Sequence, residues 1–108
     1  MVKVHQYDIF IVNLDPTVGH EIKKSRPCVI ISPNEMNDHI GTVIVAPLTS
    51  TGKNYPTRVG LVVQGREGWI VLDQIRTVDK IRLTAKIGTL GDATVATVKD
   101  IIRQMLVE

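Results

Sequence analysis

The spacing of apolar residues changes near residue 90 and divides the chain into two kinds of structure. Beyond that point apolar residues recur at steps of three and four, which predicts one buried face of a helix. They are Val95, Val98, Ile101, Ile102, Met105 and Leu106. Before it, β-branched and apolar residues form short runs bounded by proline, glycine and polar residues, a pattern typical of strands. The sequence therefore predicts strands followed by one C-terminal helix, with Asp92 as its N-cap.

The strand-like runs are numerous enough to curl into a small barrel. Five of them precede the helix, and a strand with a short turn is expected over Gln74–Arg82. The five span Asp8–Leu14, Pro27–Ser32, Thr42–Leu48, Arg58–Val63 and Trp69–Leu72. The second run is apolar throughout, so we expect it to be buried on both faces, whereas Pro47 indicates an edge strand or a bulge. We therefore predict a mainly β (α+β) fold in which a small barrel packs against a C-terminal helix.

Length and composition limit the class of protein. A chain of 108 residues is expected to form one domain over residues 1–108, and a single cysteine allows no internal disulfide. No run approaches the ~20 apolar residues of a membrane span, and the first residues lack the apolar core of a signal peptide. We therefore expect a cytoplasmic protein with no membrane partner. The formal net charge of +2 does not by itself mark a nucleic-acid binder.

Motifs for several kinds of chemistry are absent from the sequence. His5, His20 and His39 lie far apart and Cys28 has no second cysteine, so no zinc site is predicted. The chain has no glycine-rich nucleotide-binding loop and no Gly-x-Ser-x-Gly elbow. Cys28 lies within an apolar run and is interpreted as a small buried residue rather than a nucleophile. We therefore expect neither a metal ion nor another cofactor.

Polar residues at the ends of the predicted strands are the remaining candidates for a site. They are His20 and Glu21 after the first strand, Arg26 before the second, and Thr49 and Ser50 after the third. Each also has a structural interpretation, because loop residues can be solvated, Arg26 can pair with Asp15, and Thr49 can cap a turn. Two basic stretches could attract phosphates or could be solvated surface charges. They contain Lys23, Lys24 and Arg26, and Arg76, Lys80, Arg82 and Lys86.

Three segments in chain order resemble the motifs of the MazF/PemK (Kid) toxin family. The first is Leu14–Glu21 followed by Arg26-Pro27, the second is Val45–Ser50, and the third is Asp73–Lys80 with Arg82-Leu83. Their order and spacing agree with the family from about Tyr7 to the predicted C-terminal helix. Because three motifs match in order, the resemblance is much more specific than any one of them.

The resemblance implies both a fold and an activity. The fold would be an SH3-like barrel closed by the C-terminal helix, and the protein would be a homodimer. The activity would be that of an endoribonuclease that cuts single-stranded RNA without a cofactor. The resemblance also implies an antitoxin encoded beside the toxin, whose acidic, extended segment covers the active site. Contact with DNA would be indirect, through the antitoxin.

Positions that match the family's motifs are carried over as candidate catalytic residues. Arg26 and Thr49 match the catalytic pair that is most widely shared in the family. Glu21 matches a position that is important in the MazF branch. His20 and Asp73 match catalytic positions of the Kid branch. The resemblance therefore implies a catalytic set whose firmest members are Arg26 and Thr49.

The chain departs from the family at two of these places. The Kid branch has an arginine two residues before its aspartate, where this chain has Val71, so the Kid-type acid–base pair is incomplete. Tyr7 stands where glycine is common before the first acidic residue, at the start of the first strand. The residues expected to contact RNA are Lys23, Lys24, Ser50, Gln74 and Arg76.

The candidate residues suit RNA cleavage in which the substrate's own 2′-hydroxyl attacks the adjacent phosphate. Arg26 can grip two phosphate oxygens with its planar fork, and the Thr49 hydroxyl can donate to the same phosphate. The general base is open among Glu21, His20 and Asp73. Two other functions are considered: a barrel that poisons a protein target such as DNA gyrase without catalysis, and a plain RNA- or partner-binding SH3-like module. The pairing of Arg26 with Thr49 favours the nuclease, because a protein poison needs no phosphate-binding pair.

Overall fold

The computed structural model describes residues 3–51 and 55–108. Within these residues the chain forms seven strands and two α-helices. The strands are β1 (Asp8–Asn13), β2 (Ser25–Ile30), β3 (Thr42–Thr49), β4 (Arg58–Val63), β5 (Arg66–Val71), β6 (Arg76–Asp79) and β7 (Leu83–Thr89). The helices are α1 (Asn34–His39) and α2 (Asp92–Leu106). Short 3₁₀ turns over Leu72–Gln74 and Lys80–Arg82 flank β6.

One antiparallel sheet contains all seven of these strands. Its order is β4-β5-β3-β2-β1-β7, and β6 pairs with β3 beside this path. The first half of β3 pairs with β6, its middle pairs with β2, and its last two residues pair with β5. Because its partner changes along its length, β3 belongs to two parts of the sheet, which curve around the core as a half-open barrel.

Two buried apolar clusters hold this sheet together. β1 contributes to both, since Phe10 and Val12 belong to the first cluster and Ile9 to the second. The second cluster also contains Val98, and this contact packs α2 against the sheet. Burial of each large apolar side chain contributes about 1.5–3 kcal/mol to folding. Packing therefore fixes the middle of the sheet and leaves the polar candidates at strand ends and in loops.

The predicted mainly β architecture with a C-terminal helix is confirmed. The strand Arg58–Val63 has the predicted bounds, and Cys28, Val29 and Ile30 are buried as expected for a strand covered on both faces. The N-cap prediction is wrong by one residue, because Gly91 is the N-cap and Asp92 is the first helical residue. Strand β7 was not among the predicted strands and completes the sheet beside β1.

Pro47 lies in a central strand, so the prediction of an edge strand is wrong. It is buried in β3, opposite Cys28 of β2. The next residue, Leu48, already pairs with Ile70 of β5. A proline without a backbone N–H is tolerated here because β3 changes partner at this point and no continuous ladder needs the missing donor.

Tyr7 has a left-handed backbone conformation, with φ of 70°. Its N–H donates to the carbonyl of Ile30 at 2.7 Å, and its carbonyl accepts from Leu90 at 3.0 Å, so neighbours on both sides fix this conformation. A non-glycine residue here costs about 1–3 kcal/mol of strain. The Tyr7 side chain offsets part of that cost by packing against the second apolar cluster. This geometry explains physically why glycine suits the position.

Candidate active site

Two clefts border the C-terminal half of β3 and contain most of the candidate residues. The Arg26 cleft has a volume of about 550 Å³. It is lined by Arg26, Pro27, Leu48, Thr49 and Ser50, together with Ile11, Ile87 and the β4–β5 hairpin. The Glu21 cleft has a volume of about 410 Å³. It is lined by Val18, His20, Glu21, Ile22, Pro47, Asp73, Gln74, Ile75 and Arg76. The structure therefore sorts the candidates into two groups beside one strand.

The register of β2 and β3 places Arg26 and Thr49 at the same end of their ladder. Cys28 pairs with Pro47 at the end of this antiparallel ladder. Arg26 precedes Cys28 by two residues and Thr49 follows Pro47 by two residues, so both lie just beyond that rung. Residues two apart on a strand point to the same face. The two side chains consequently line one cleft although they are far apart in sequence.

The guanidinium of Arg26 is held at one end and available at the other. Its Nε donates to the carbonyl of Lys23 at 2.8 Å. Within residues 3–51 and 55–108, its two terminal amino groups have no hydrogen-bond partner and it forms no ion pair. The Asp15 carboxylate instead accepts from the Lys24 amide at 3.0 Å, so the alternative of an Arg26–Asp15 pair is wrong. Both amino groups can therefore reach a phosphate.

Thr49 is nearly buried, and its hydroxyl bonds to Thr51. It retains 9% of its exposure, and its Oγ1 accepts from the Thr51 amide at 3.3 Å. A Cβ added at Gly68 would lie 3.3 Å from the Thr49 carbonyl oxygen, which requires the neighbouring strand to approach without a side chain. The Thr49 hydroxyl also lies 3.2 Å from Thr51 Oγ1, and its proton is free to turn from that contact towards a phosphate.

Glu21 and His20 lie at an exposed turn within the β1–β2 loop. The Glu21 carboxylate Oε1 accepts from the Val18 amide at 2.6 Å, and the Glu21 amide donates to the Val18 carbonyl at 3.2 Å. Gly19, between them in sequence, has a φ of 58°, a left-handed conformation that glycine adopts without strain. The turn therefore orients the carboxylate from within the loop, and the loop itself is attached to the body of the protein by Gln74.

Asp73 has an arginine partner from a neighbouring strand. Its carboxylate accepts from Thr57 Oγ1 at 2.9 Å and from Arg58 Nε at 3.4 Å, and Arg58 lies opposite Val71 in the sheet. Burial alone would raise the pKa of the Asp73 carboxyl. The hydrogen bonds from Arg58, Thr57 and its own amide, together with the Arg58 charge, outweigh burial and hold that pKa below its ordinary value. Asp73 is therefore a weaker base than a free carboxylate.

The expected RNA contacts occupy different environments. Lys23 and Lys24 are exposed in the loop, and Ser50 lines the Arg26 cleft. Gln74 and Arg76 line the Glu21 cleft, and Arg76 Nη1 donates to the carbonyl of Leu14 at 3.0 Å. The first three are thus open to a ligand, whereas the last two already bond to the protein.

The tip of the β4–β5 hairpin borders the site, although none of its residues was among the candidates from the sequence. Gln64, Arg66 and Glu67 line the Arg26 cleft beside Thr49. The turn itself consists of Gln64 and Gly65, with φ of 50° and 78°, and β5 begins directly after it. A two-residue turn ending in glycine between two β-branched runs is a hairpin signal. That signal locates the turn, but the sequence does not show which cleft the hairpin overhangs.

Other features of the described chain bear on the chemistry. Burial raises the pKa of the Cys28 thiol to about 12, against the opposing charges of Arg76 and Arg26, so the thiol stays protonated at neutral pH. Within residues 3–51 and 55–108, no three His, Cys, Asp or Glu side chains are grouped to hold a metal ion. In the same ranges, no helix is long and apolar enough to cross a membrane.

Comparisons with known proteins agree on one family. The sequence model of the "PemK-like, MazF-like toxin of type II toxin-antitoxin system" matches residues 5–106. The chain is 33% identical over 93 residues to the endoribonuclease toxin MazF of Escherichia coli K12, which covers 85% of this chain and 84% of that protein. It is 37% identical over 95 residues to the endoribonuclease EndoA of Bacillus subtilis 168, which covers 82% of each.

The three-dimensional structure leads to the same family. The crystal structure of MazF from Deinococcus radiodurans superposes with a TM-score of 0.87 and 26% sequence identity, covering 98% of each chain. This similarity confirms the small barrel with a C-terminal helix that the sequence motifs implied. Because the family model spans almost the whole chain and both bacterial relatives exceed 30% identity, this chain belongs to the PemK-like, MazF-like toxins of type II toxin–antitoxin systems.

Proposed function

We propose that this toxin is an endoribonuclease that cuts single-stranded RNA by attack of a 2′-hydroxyl on the adjacent phosphate. The observation that carries the proposal is the Arg26 cleft, which is lined both by Arg26, whose two amino groups are unengaged among the described residues, and by the nearly buried Thr49. The relatives named as endoribonucleases support it. A cation with a fixed hydroxyl donor is the arrangement that a charged phosphorane requires.

The reaction divides among three tasks. A base removes the proton from the 2′-hydroxyl, whose oxygen attacks the phosphorus and expels the 5′-oxygen of the next nucleotide. Arg26 and Thr49 stabilise the charge that develops on the non-bridging oxygens, and an acid protonates the leaving oxygen. The nucleophile is already tethered to the phosphate, so orientation supplies much of the rate and no metal-bound water is required.

Glu21 is the general base that the contacts favour. Its Oε1 accepts a hydrogen bond from the Val18 amide, whereas its Oε2 has no hydrogen-bond partner among the described residues. Asp73, in contrast, is occupied by Thr57 and Arg58, and its lowered pKa weakens it as a base. His20 lines the same cleft as Glu21 and is the candidate for the acid that protonates the leaving group.

The nuclease and the two other functions predict different results when the protein is incubated with RNA. Purified protein incubated with a labelled, mixed-sequence RNA should produce discrete fragments if the toxin is a nuclease. A protein poison would leave RNA intact while inhibiting a target such as gyrase, and a binding module would retard RNA without cutting it. Intact RNA under conditions in which an authentic MazF cuts would therefore overturn the proposal.

We further propose that the toxin is a homodimer. β4 lies at one end of the strand order and exposes 66% of Val62, while Leu106, the last residue of α2, is exposed by 62%. An unpaired edge and exposed apolar side chains favour association with a second copy. We expect light scattering at micromolar concentration to give twice the 12.0 kDa chain mass. A monomer at these concentrations would contradict the prediction.

The cognate antitoxin is expected to bind through an acidic, extended segment. Lys23 and Lys24 are exposed and shortly precede Arg26, whose Nε donates to the Lys23 carbonyl, so we expect carboxylates and RNA phosphates to compete for one positive field. We expect the double substitution Lys23→Gln, Lys24→Gln to weaken an antitoxin peptide roughly tenfold at low salt and much less at 0.5 M salt, measured by fluorescence anisotropy. Lys99→Gln on α2 is the control. Peptide binding that is insensitive to salt and to competing RNA would exclude a shared site.

The cellular setting is part of the same proposal. A toxin that cuts messenger RNA acts in the cytoplasm, and its one described cysteine is a buried thiol, which suits a reducing compartment. Contact with DNA would be made by the antitoxin rather than by this chain.

A further inference from the structure

The β1–β2 loop, residues 14–24, has few packing contacts of its own. Of its apolar side chains beyond Leu14, Val18 is 81% exposed, and only Ile22 is partly buried against the first cluster. A segment with so little buried apolar area opens locally at low cost. Because this loop carries Glu21, something else has to hold the carboxylate in place between encounters with substrate.

The side chain of Gln74 makes two hydrogen bonds to this loop from the turn before β6. Its Oε1 accepts from the Ile22 amide at 2.7 Å, and its Nε2 donates to the His20 carbonyl at 3.2 Å. The two bonds bracket Glu21 in the chain. The carboxamide thus accepts from one backbone N–H and donates to one backbone carbonyl, as a neighbouring strand would. Only one orientation of the amide satisfies both bonds.

Two arginines from the same sequence motif hold the beginning of the loop. Arg76 Nη1 donates to the carbonyl of Leu14 at 3.0 Å, and Arg82 Nη1 donates to the carbonyl of Asn13 at 3.1 Å and also to that of Asp15. All of these acceptors are backbone carbonyls. The segment from Gln74 to Arg82 therefore acts on the loop backbone and does not depend on the loop's side chains.

We propose that Gln74 is a positioning residue that clamps the loop backbone on both sides of Glu21. The catalytic consequence rests on the proposed function, because it assumes that Glu21 is the base. Both polar atoms of the carboxamide are engaged, so a direct contact with RNA would require the clamp to open. Gln74 acts on catalysis through Glu21, and Arg76 and Arg82 fix the base of the same loop.

The first test measures the loop without RNA. Gln74→Met keeps the length of the side chain and removes both hydrogen bonds. We expect the Ile22 amide to exchange its hydrogen about tenfold faster in this variant, and the same loss of stability to lower the melting temperature by roughly 5–8 °C. Gln104→Met on α2 is the matched control, because the one side-chain hydrogen bond of Gln104 to a described residue is to Asp100 within its own helix. Unchanged exchange at Ile22 would overturn the clamp whether or not the protein cuts RNA.

The second test separates positioning from binding. We expect Gln74→Met to lower kcat about tenfold and to change KM by less than about twofold, because substrate contacts persist while the base is misplaced. Gln74→Glu retains the acceptor for Ile22 and loses the donor to His20, so its kcat should be intermediate. A raised KM with wild-type kcat would instead identify Gln74 as an RNA contact and overturn the proposal. If the wild-type protein cuts no RNA, the proposed function fails while amide exchange still decides the clamp.

Discussion

Replacing Arg26 by alanine is expected to lower the rate of RNA cleavage by about a hundred- to a thousandfold. The substitution removes the cation placed at the phosphorane, and loss of one preorganised charge-stabilising donor costs that much in other enzymes. Single-turnover cleavage of a defined oligonucleotide measures the effect. Arg26→Lys should recover part of the rate, because an ammonium retains the charge and loses the planar fork. Thr49→Val keeps the shape, removes the hydroxyl and should slow cleavage less than Arg26→Ala.

A structural role for Arg26 gives a different result. Among the residues that the structure describes, Arg26 makes one hydrogen bond, from Nε to the Lys23 carbonyl, and this bond closes the end of the β1–β2 loop. If that bond were its whole purpose, Arg26→Ala would lower the melting temperature and spare the specific activity of the folded protein. Arg103→Ala is the control, because it removes an exposed arginine whose ion pairs, among the described residues, are with Asp100 on α2 and with Glu108 just beyond it. A folded Arg26→Ala protein that cleaves at nearly the wild-type rate would overturn the assignment.

The elements that could be predicted from sequence are those whose own pattern decides their structure. The C-terminal helix shows a helical period and one buried face centred on Val98, and the run through Cys28 and Val29 is apolar on both faces. Strand β7 gives no such signal. It is an edge strand in which only Leu83 is buried, and Thr84 and Lys86 face solvent, so alternation of apolar residues is weak. An edge strand with so few buried side chains gives only a weak pattern of apolar residues in the sequence.

The members of the candidate site could be proposed from the sequence, but their arrangement in space could not. Arg26 and Thr49 were found through motifs, and the strand register explains why they lie at one end of the β2–β3 ladder. The division into two clefts depends on contacts between distant residues, such as the bond from the Ile22 amide to Gln74, which spans 52 positions. The Arg58 partner of Asp73 was missed for the same reason, since it comes from the strand paired with Val71. Side chains that meet across a sheet are not adjacent in any sequence pattern.

Removal of the 2′-hydroxyl at the cleaved nucleotide is expected to abolish cleavage. The proposed reaction uses that oxygen as its nucleophile, so a substrate with hydrogen in its place has no attacking group. The cleaved RNA should carry a 2′,3′-cyclic phosphate on the upstream fragment and a free 5′-hydroxyl on the downstream one, because the 2′-oxygen forms the new bond and the 5′-oxygen leaves. Chimeric oligonucleotides with one deoxynucleotide, analysed by gel and mass spectrometry, measure both the rate and the ends.

The position of the single deoxynucleotide supplies the control. A deoxynucleotide one position downstream of the cut leaves the nucleophile in place, so cleavage should continue at a rate within about tenfold of the all-RNA substrate, since only a binding contact is lost. Excess EDTA should leave the rate on RNA nearly unchanged, because the tethered hydroxyl replaces the metal-activated water that other nucleases use. Cleavage of the substrate that lacks the critical hydroxyl, or fragments that end in a 5′-phosphate, would show that water or another nucleophile attacks. Arg26 and Thr49 would then still be candidates for binding the phosphate, but Glu21 would have to activate a different group.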